Sequence, residues 1–417
     1  SPKMTYDTME YIKEMKARGN SVLVGVDTGY HELNKMTTGF GKGDLVIIAA
    51  RPAMGKCLGL GTKVVMFDGT LKNVEDIEVG EQLMGDDSTP RNVLSLARGR
   101  ERMYWVRQNK GIDYRVNESH ILSLKRSRNE GKHKNGDILN ISVKDYNQKS
   151  DKFHTNYKGY KTAIDFKEQD LHVDPYFLGL WLGDGHSSSV NITTMDKEVI
   201  EYLESYAAKL NLQVTKQSPK NKCPVYGITS GQQGISKFED NSLQKRLRDL
   251  GVLNHKHIPH VYIQNSEQNR LELLAGLLDS DGYYDEKFNV YEIVQKDENL
   301  TKQIKFLADS LGFRVSFKTK KARIKKINFE CDVYRLRIVG DLDKIPTKIK
   351  RKQARALKAA REVKHTGIKV EYDRVDDYYG FTIDGNHLFL LEDMTVTHNT
   401  SFILNTVNSL IMQGKGV

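Results

Sequence analysis

Cys57 and the triplet His398-Asn399-Thr400 are the residues of this 417-residue chain whose types and placement work together as chemistry. A thiol at 57 can attack the carbonyl of Lys56 just upstream and turn that peptide bond into a thioester. The Thr400 hydroxyl can then attack the thioester and carry the upstream segment across to residue 400. Asn399 can attack its own main-chain carbonyl with its side-chain amide, closing a succinimide and cutting the chain before Thr400. An O-to-N acyl shift leaves an ordinary Lys56–Thr400 peptide bond. Each step exchanges one acyl bond for another, so the sequence of steps needs no cofactor. Taken singly the residues have plainer uses: Cys57 as a buried structural cysteine, Asn399 as a turn residue. Their joint placement at the two ends of one segment is what points to a reaction.

The flanks show what removal of residues 57–399 would restore. "DLVIIAA" (44–50) reads as a buried strand, and "RPAMGK" (51–56) follows it as the start of a phosphate-binding loop. Such a loop needs Ser or Thr after its Lys, and Cys57 stands there instead. Thr400 opens a helical run with Ile403, Leu404, Val407, Leu410 and Ile411 as its apolar face. Joined, the flanks give strand, loop and helix, with backbone N–H groups around Gly55 cradling phosphates, Lys56 reaching the outer phosphates and the Thr400 hydroxyl holding Mg²⁺. The joined flanks resemble the DnaB-type replicative helicases, although Ala50 stands where a generic loop has its first Gly. The resemblance implies that 1–20 is the helicase linker helix and that 21–56 and 400–417 are fragments of a RecA-like α/β ATPase. It further implies ATP and Mg as cofactors of the rejoined host, and a homo-hexamer.

Three stretches of the insert carry a second resemblance. "CLGLGTKVVMFDGT" (57–70), "VNESHILSL" (116–124) and "YYGFTIDGNHLFLLEDMTVTHN" (378–399) look like the blocks of inteins, in the Hedgehog/intein (Hint) fold. The resemblance implies a β-rich horseshoe built from 57–170 and 362–399. In it His120 would activate the Lys56–Cys57 amide, Asn117 would steer that amide, and His387 and His398 would assist Asn399. Two departures matter. Asn117 stands where that block usually has Thr, and Gly380 stands where many inteins carry an acidic residue, so the carboxylate coordinating early and late steps has no assigned position. The resemblance implies a cytoplasmic protein, with the intein itself a monomer.

Between those halves lies a partial repeat. "DPYFLGLWLGDG" (174–185) precedes "SSVNITT" and a helical run over 196–212; "LELLAGLLDSDG" (271–282) precedes "KFNVYEIVQ" and a helical run over 297–313. Each first helix has a glycine at its centre, Gly179 or Gly276, and ends in Asp-Gly. Two such helices can pack at the glycines and set Asp184 beside Asp281, a carboxylate pair suited to Mg²⁺ and phosphodiester hydrolysis. The region resembles LAGLIDADG homing endonucleases over 174–350, which implies an α/β fold, Mg as cofactor and double-stranded DNA as partner, the homing site being the intein-less helicase gene. "HKHIP" (255–259) fits a block of the intein-borne members.

The supporting elements follow from pattern. "TKVVMFDGTLKNVEDIEVGEQLM" (62–84) alternates apolar and polar residues around a turn at Asp68-Gly69, as hairpins do, and residues 4–18 predict an amphipathic helix. "FRVSFKTKKARIKK" (313–326) interleaves Lys and Arg with Val315, Phe317 and Ile324, so a strand there faces phosphates on one side and packs on the other. "PTKIKRKQARALKAAR" (346–361) is a second basic run, read equally as DNA surface or as a solvated face, and Lys222 and Lys320 are candidates to assist catalysis. A net charge of +10 favours a polyanionic partner. Three cysteines without CxxC spacing argue against a disulfide scaffold or zinc site, and no apolar run reaches membrane-spanning length. The expected fold class is multidomain: a β-rich Hint horseshoe interrupted by an α/β endonuclease and flanked by RecA-like fragments. Two alternatives stay open: a splicing element whose endonuclease no longer cleaves, and a non-catalytic nucleotide-binding module carrying a binding insertion.

Overall fold

A computed structural model describes residues 31–37, 39–41, 57–220, 222–231, 242–324, 329–357 and 362–399. Gly55, Lys56 and Thr400, the helix expected at 4–18, the strand at 44–50 and the helix after Thr400 lie outside the described residues.

Two long strands, Pro90–Gln108 and Ile368–Ile383, form the spine of the β-rich part. They pair antiparallel from Val93↔Ile383 to Gln108↔Ile368, with irregularities between Tyr372 and Val375 and between Thr382 and Ile383. This pairing closes a sequence gap of more than 250 residues and brings the two ends of the insert together. The two-residue strand Leu58–Gly59 slots beside it, with Leu58 opposite both Tyr379 and Val116. A six-stranded sheet receives the other end: Val396–His398 lies between Leu388–Leu390 and Ile121–Arg126, with His398 opposite Ile121. The expected hairpin forms between Lys63–Val65 and Leu71–Asn73. Its turn is held by Asp68, whose carboxylate accepts from Thr70, and by Gly69 at φ +84, a conformation that favours glycine.

The inserted α/β part shows its repeat directly. Helices Pro175–Asp184 and Glu267–Asp281 are capped by Asp174 and Ser266, whose side chains accept from Phe177 N and Asn269 N. Both are apolar around most of their circumference because they are buried from nearly all sides. They cross at the glycines: a Cβ on Gly179 would meet Gly276 Cα at 2.9 Å, and one on Gly276 would meet Gly179 Cα at 3.0 Å. The first helix leads to a three-stranded sheet of Ile192–Thr193, Val225–Thr229 and Gln213–Gln217. The second leads to a four-stranded sheet ordered Gly282–Asp285, Val290–Gln295, Phe329–Val339 and Arg314–Ile324. Helices Lys197–Lys209 and Glu298–Ser310 complete the two units.

The two parts share a core. Val65, Met84, Leu388, Leu390, Met394 and Val396 of the β-rich part belong to the same buried apolar cluster as the two crossing helices. A charged brace crosses the same boundary: Lys161 Nζ donates to Asp393 at 2.7 Å, both buried, and Lys305 of helix Glu298–Ser310 also acts on Asp393. Burial works against the Asp393 charge, but the two lysines hold its carboxyl below the ordinary range.

Candidate functional site

Two clusters of reactive side chains lie in these two parts. At the first, Cys57 is 1% exposed beside Gly380 and Tyr378. Its main-chain N–H donates to Asn117 Oδ1 at 2.9 Å, and its carbonyl accepts from Asn117 N at 3.1 Å. Asn117 thus grips the residue through both backbone and side chain. Burial, then the Glu101 carboxylate, pushes the Cys57 thiol up to about 12, with Arg98 opposing. His120 is fully buried in the turn between strands Tyr114–Asn117 and Ile121–Arg126. Its Nε2 lies 2.8 Å from Thr397 Oγ1, which ties the block around residue 57 to the block before Asn399.

Asn399 is 3% exposed; its N–H donates to the His387 carbonyl at 2.7 Å, and its side-chain amide donates to the Phe381 carbonyl. His387 adopts φ +63, and its Nδ1 is 2.8 Å from the Ile383 carbonyl. The His387 and His398 rings stand 6.0 Å apart. Cys57, Asn117, His120, His387, His398 and Asn399 therefore gather around strand Ile368–Ile383 and its neighbours, although they are separated by up to 342 positions. Strand pairing achieves this, and no local pattern announces it.

At the second cluster Asp184 and Asp281 end the two crossing helices, close enough for each charge to act on the other. A Cβ on Gly183 would sit 3.1 Å from Asp281 Oδ2. Burial, then Asp281, pushes Asp184 up to about 6, and burial also raises Asp281, which accepts from Gln295. Two lysines not singled out in the sequence cap the helix ends. Lys256 Nζ donates to the carbonyls of Leu182, Gly183 and Gly185 at 3.0, 3.0 and 2.7 Å. Lys352 Nζ donates to those of Leu278, Asp279 and Ser280 at 2.9, 2.7 and 3.1 Å. Each ammonium neutralises the negative end of a helix and lowers the Asp184 and Asp281 carboxyls electrostatically. Burial in turn lowers both lysines.

These lysines sit inside runs the sequence did mark, "HKHIP" and "PTKIKRKQARALKAAR". The second run is not a uniform face: Lys352 is buried, and Arg351 pairs with Asp196 at 2.8 Å. Lys222 stands exposed in a turn and Lys320 exposed on its strand. Strand Arg314–Ile324 does divide its faces. Val315 and Phe317 pack inward, while Ser316, Lys318 and Lys320 alternate outward opposite Arg337, Arg335 and Val333. Beside it a cleft of about 540 Å³ is lined by Lys110, Lys305, Arg314 and Arg337, among others.

Among the described residues no group of three or more His, Cys, Asp or Glu is placed to hold a metal. Two carboxylates are nonetheless the set on which Mg²⁺ sits when waters and substrate phosphates supply the rest. The raised carboxyls of Asp184 and Asp281 are the electrostatic mark of a site that a divalent cation would relieve, and the residues fit such an ion. No helix among the described residues is long and apolar enough to cross a membrane.

Comparison with known proteins places names on these parts. The model of the Hom_end-associated Hint family matches residues 57–173, that of the homing endonucleases matches 257–366, and that of the DnaB-like helicase C-terminal domain matches 25–73. The replicative DNA helicase DnaB of Mycobacterium intracellulare is 29% identical over 314 residues, covering 67% of this chain and 46% of its own. The catalytic polypeptide of the V-type proton ATPase of Candida tropicalis is 22% identical over 488 residues, covering 86% and 45%. The chain thus spans under half the length of these relatives. Among solved structures, I-DmoI in complex with DNA and Ca is 16% identical with a TM-score of 0.29, covering 40% of this chain and 83% of its own.

Proposed function

We propose, since this chain is an intein bearing a homing endonuclease within a DnaB-type helicase sequence, that residues 57–399 splice themselves out and join Lys56 to Thr400. The observation that carries this is the convergence of Cys57, His120 and Asn399 on one buried strand crossing. Cys57 Sγ bonds to the Lys56 carbonyl carbon, the bond from that carbon to Cys57 N breaks, and the thiol proton ends on the new amine. With Nε2 engaged by Thr397, Nδ1 is the His120 nitrogen that delivers a proton to the departing amide nitrogen. Thr400 then takes the acyl group from sulfur. Asn399 Nδ2 attacks its own carbonyl carbon and releases the Thr400 amine, with His387 and His398 moving the protons. The product restores a phosphate-binding loop, with Gly55, Lys56 and Thr400 serving ATP and Mg in the host.

The second activity is site-specific cleavage of double-stranded DNA. Asp184 and Asp281 would hold Mg²⁺, which when bound polarises the scissile phosphate and activates water. Lys256 and Lys352 keep the helix ends from repelling the phosphate, and Lys318, Lys320, Arg335 and Arg337 meet the backbone. Intact mass over time, on the parent and on Cys57→Ala with Asn399→Ala, tests the splicing. The parent alone is expected to yield two species, residues 57–399 and a ligated 1–56/400–417 peptide. A parent mass that never changes, with or without reductant, would sink it.

A further inference from the structure

We infer that Glu101 supplies the missing carboxylate of the splice junction, as a positioning residue that fixes the Asn117 carboxamide against the Cys57 amide. This rests on the splicing function proposed above. It starts from the two departures in the sequence, Gly380 for an acidic residue and Asn117 for Thr, which the structure makes one fact.

Gly380 leaves no room for a side chain. A Cβ there would stand 3.2 Å from Cys57 Cβ and overlap Cys57 Sγ, so an acidic residue at 380 would displace the thiol. The carboxylate comes from the paired strand instead. Glu101 lies on Pro90–Gln108 opposite Asp376, two residues before Met103, which faces Asn117. Its Oε2 accepts from Asn117 Nδ2 at 2.7 Å, and its Oε1 accepts from Ser119 Oγ at 3.3 Å.

Hydrogen-bond inventory then fixes the carboxamide. The Cys57 main-chain N–H can only donate, and an ionised carboxylate can only accept. Asn117 stands between them, fully buried, and one orientation satisfies both: Oδ1 toward Cys57 N at 2.9 Å, Nδ2 toward Glu101. Flipping the amide would set two donors face to face and two acceptors face to face. The bond to Glu101 is charge-assisted and so among the stronger ones. Its effect is to hold the plane of the amide whose nitrogen leaves when sulfur attacks. A Thr hydroxyl both donates and accepts, so it needs no such partner, whereas Asn does. Asn117, Glu101 and Gly380 therefore belong together as one substitution of the usual arrangement.

The test uses the full chain with Asn399→Ala, which isolates the first step, and reads dithiothreitol-induced cleavage at Lys56–Cys57. Glu101→Gln is expected to slow it by about ten-fold, the loss of one hydrogen bond to a charged group, because a Gln amide tolerates either orientation of Asn117. Adding Asn117→Thr to Glu101→Gln is expected to recover most of the rate, which a merely structural loss would not allow. Glu101→Gln cleaving at the parent rate, or a double variant no faster than the single, overturns the assignment. If the parent itself never cleaves, the splicing function has failed, and hydrogen exchange at the Cys57 amide still decides the positioning. Protection falling about ten-fold in Glu101→Gln upholds it; unchanged protection overturns it.

Discussion

The splice-junction cluster and the aspartate pair were built from the same material, chain segments far apart in sequence, yet they were closed in opposite ways. At the junction the reacting groups are parts of the chain itself, held by backbone pairing on several sides and almost wholly sealed from water. The aspartates end two helices whose contact is tightest at Gly179 and Gly276, and their carboxylates face outward from that crossing. Burial favours the uncharged form in both places, raising the Cys57 thiol to about 12 and Asp184 to about 6. The consequences differ. A protonated thiol is a restrained nucleophile that waits on its surroundings, whereas a raised carboxylate pair is a seat for a cation and a phosphate. An intramolecular reaction needs geometry, and a reaction on an outside substrate needs an electrostatic vacancy.

The sharpest way to break this comparison is to disable one centre and read both. Asn399→Ala is expected to abolish succinimide formation and excision while DNA cleavage survives. Asp281→Asn is expected to lower nicking of the joined helicase gene by about 100-fold or more while splicing survives. Crossed effects of equal size would mean that the centres are not separable.

The shared brace should do the reverse. Lys161→Met leaves Asp393 buried without its nearest cation, a loss expected to cost about 3–5 kcal/mol. Denaturant unfolding should show it, with both activities falling together. A change below about 1 kcal/mol would make the brace a surface-like pair.

Titration separates the centres more finely. Because the folded thiol lies near 12, the thiolate fraction rises about ten-fold per pH unit across the accessible range. Thiol-induced cleavage should climb without a plateau to about pH 9; a plateau near pH 8 would mean an ordinary thiol. Nicking should instead fall as pH drops below about 6, where Asp184 takes up its proton.

The smallest effect expected is on stability. Asp184 binds its proton more tightly folded than unfolded, so its contribution to stability declines as pH rises from about 4 to about 6 and stays lost above. Asp184→Asn removes that decline and should melt a little higher than the parent at about pH 7 in metal-free buffer. A lower melting temperature would show that the charge is compensated in the fold.

Much of this was legible in the sequence because the signals were local or terminal. Cys57 and Asn399 stand at the ends of an insert that splits a recognisable loop, and Asp68-Gly69 makes its turn by its own chemistry. Gly179 and Gly276 announce a close helix crossing because only an absent side chain permits one. What stayed hidden has no local signature. Lys256 and Lys352 look like any exposed lysines until two helix ends arrive beneath their ammonium groups. Glu101 is one acidic residue in "RGRERM" until strand pairing sets it beside Asn117. The shared core and the Lys161–Asp393 brace depend on packing between segments more than 200 residues apart. Residue type and order determined which groups can react; only the tertiary structure decided what surrounds them, because burial and neighbouring charge are properties of space and not of sequence.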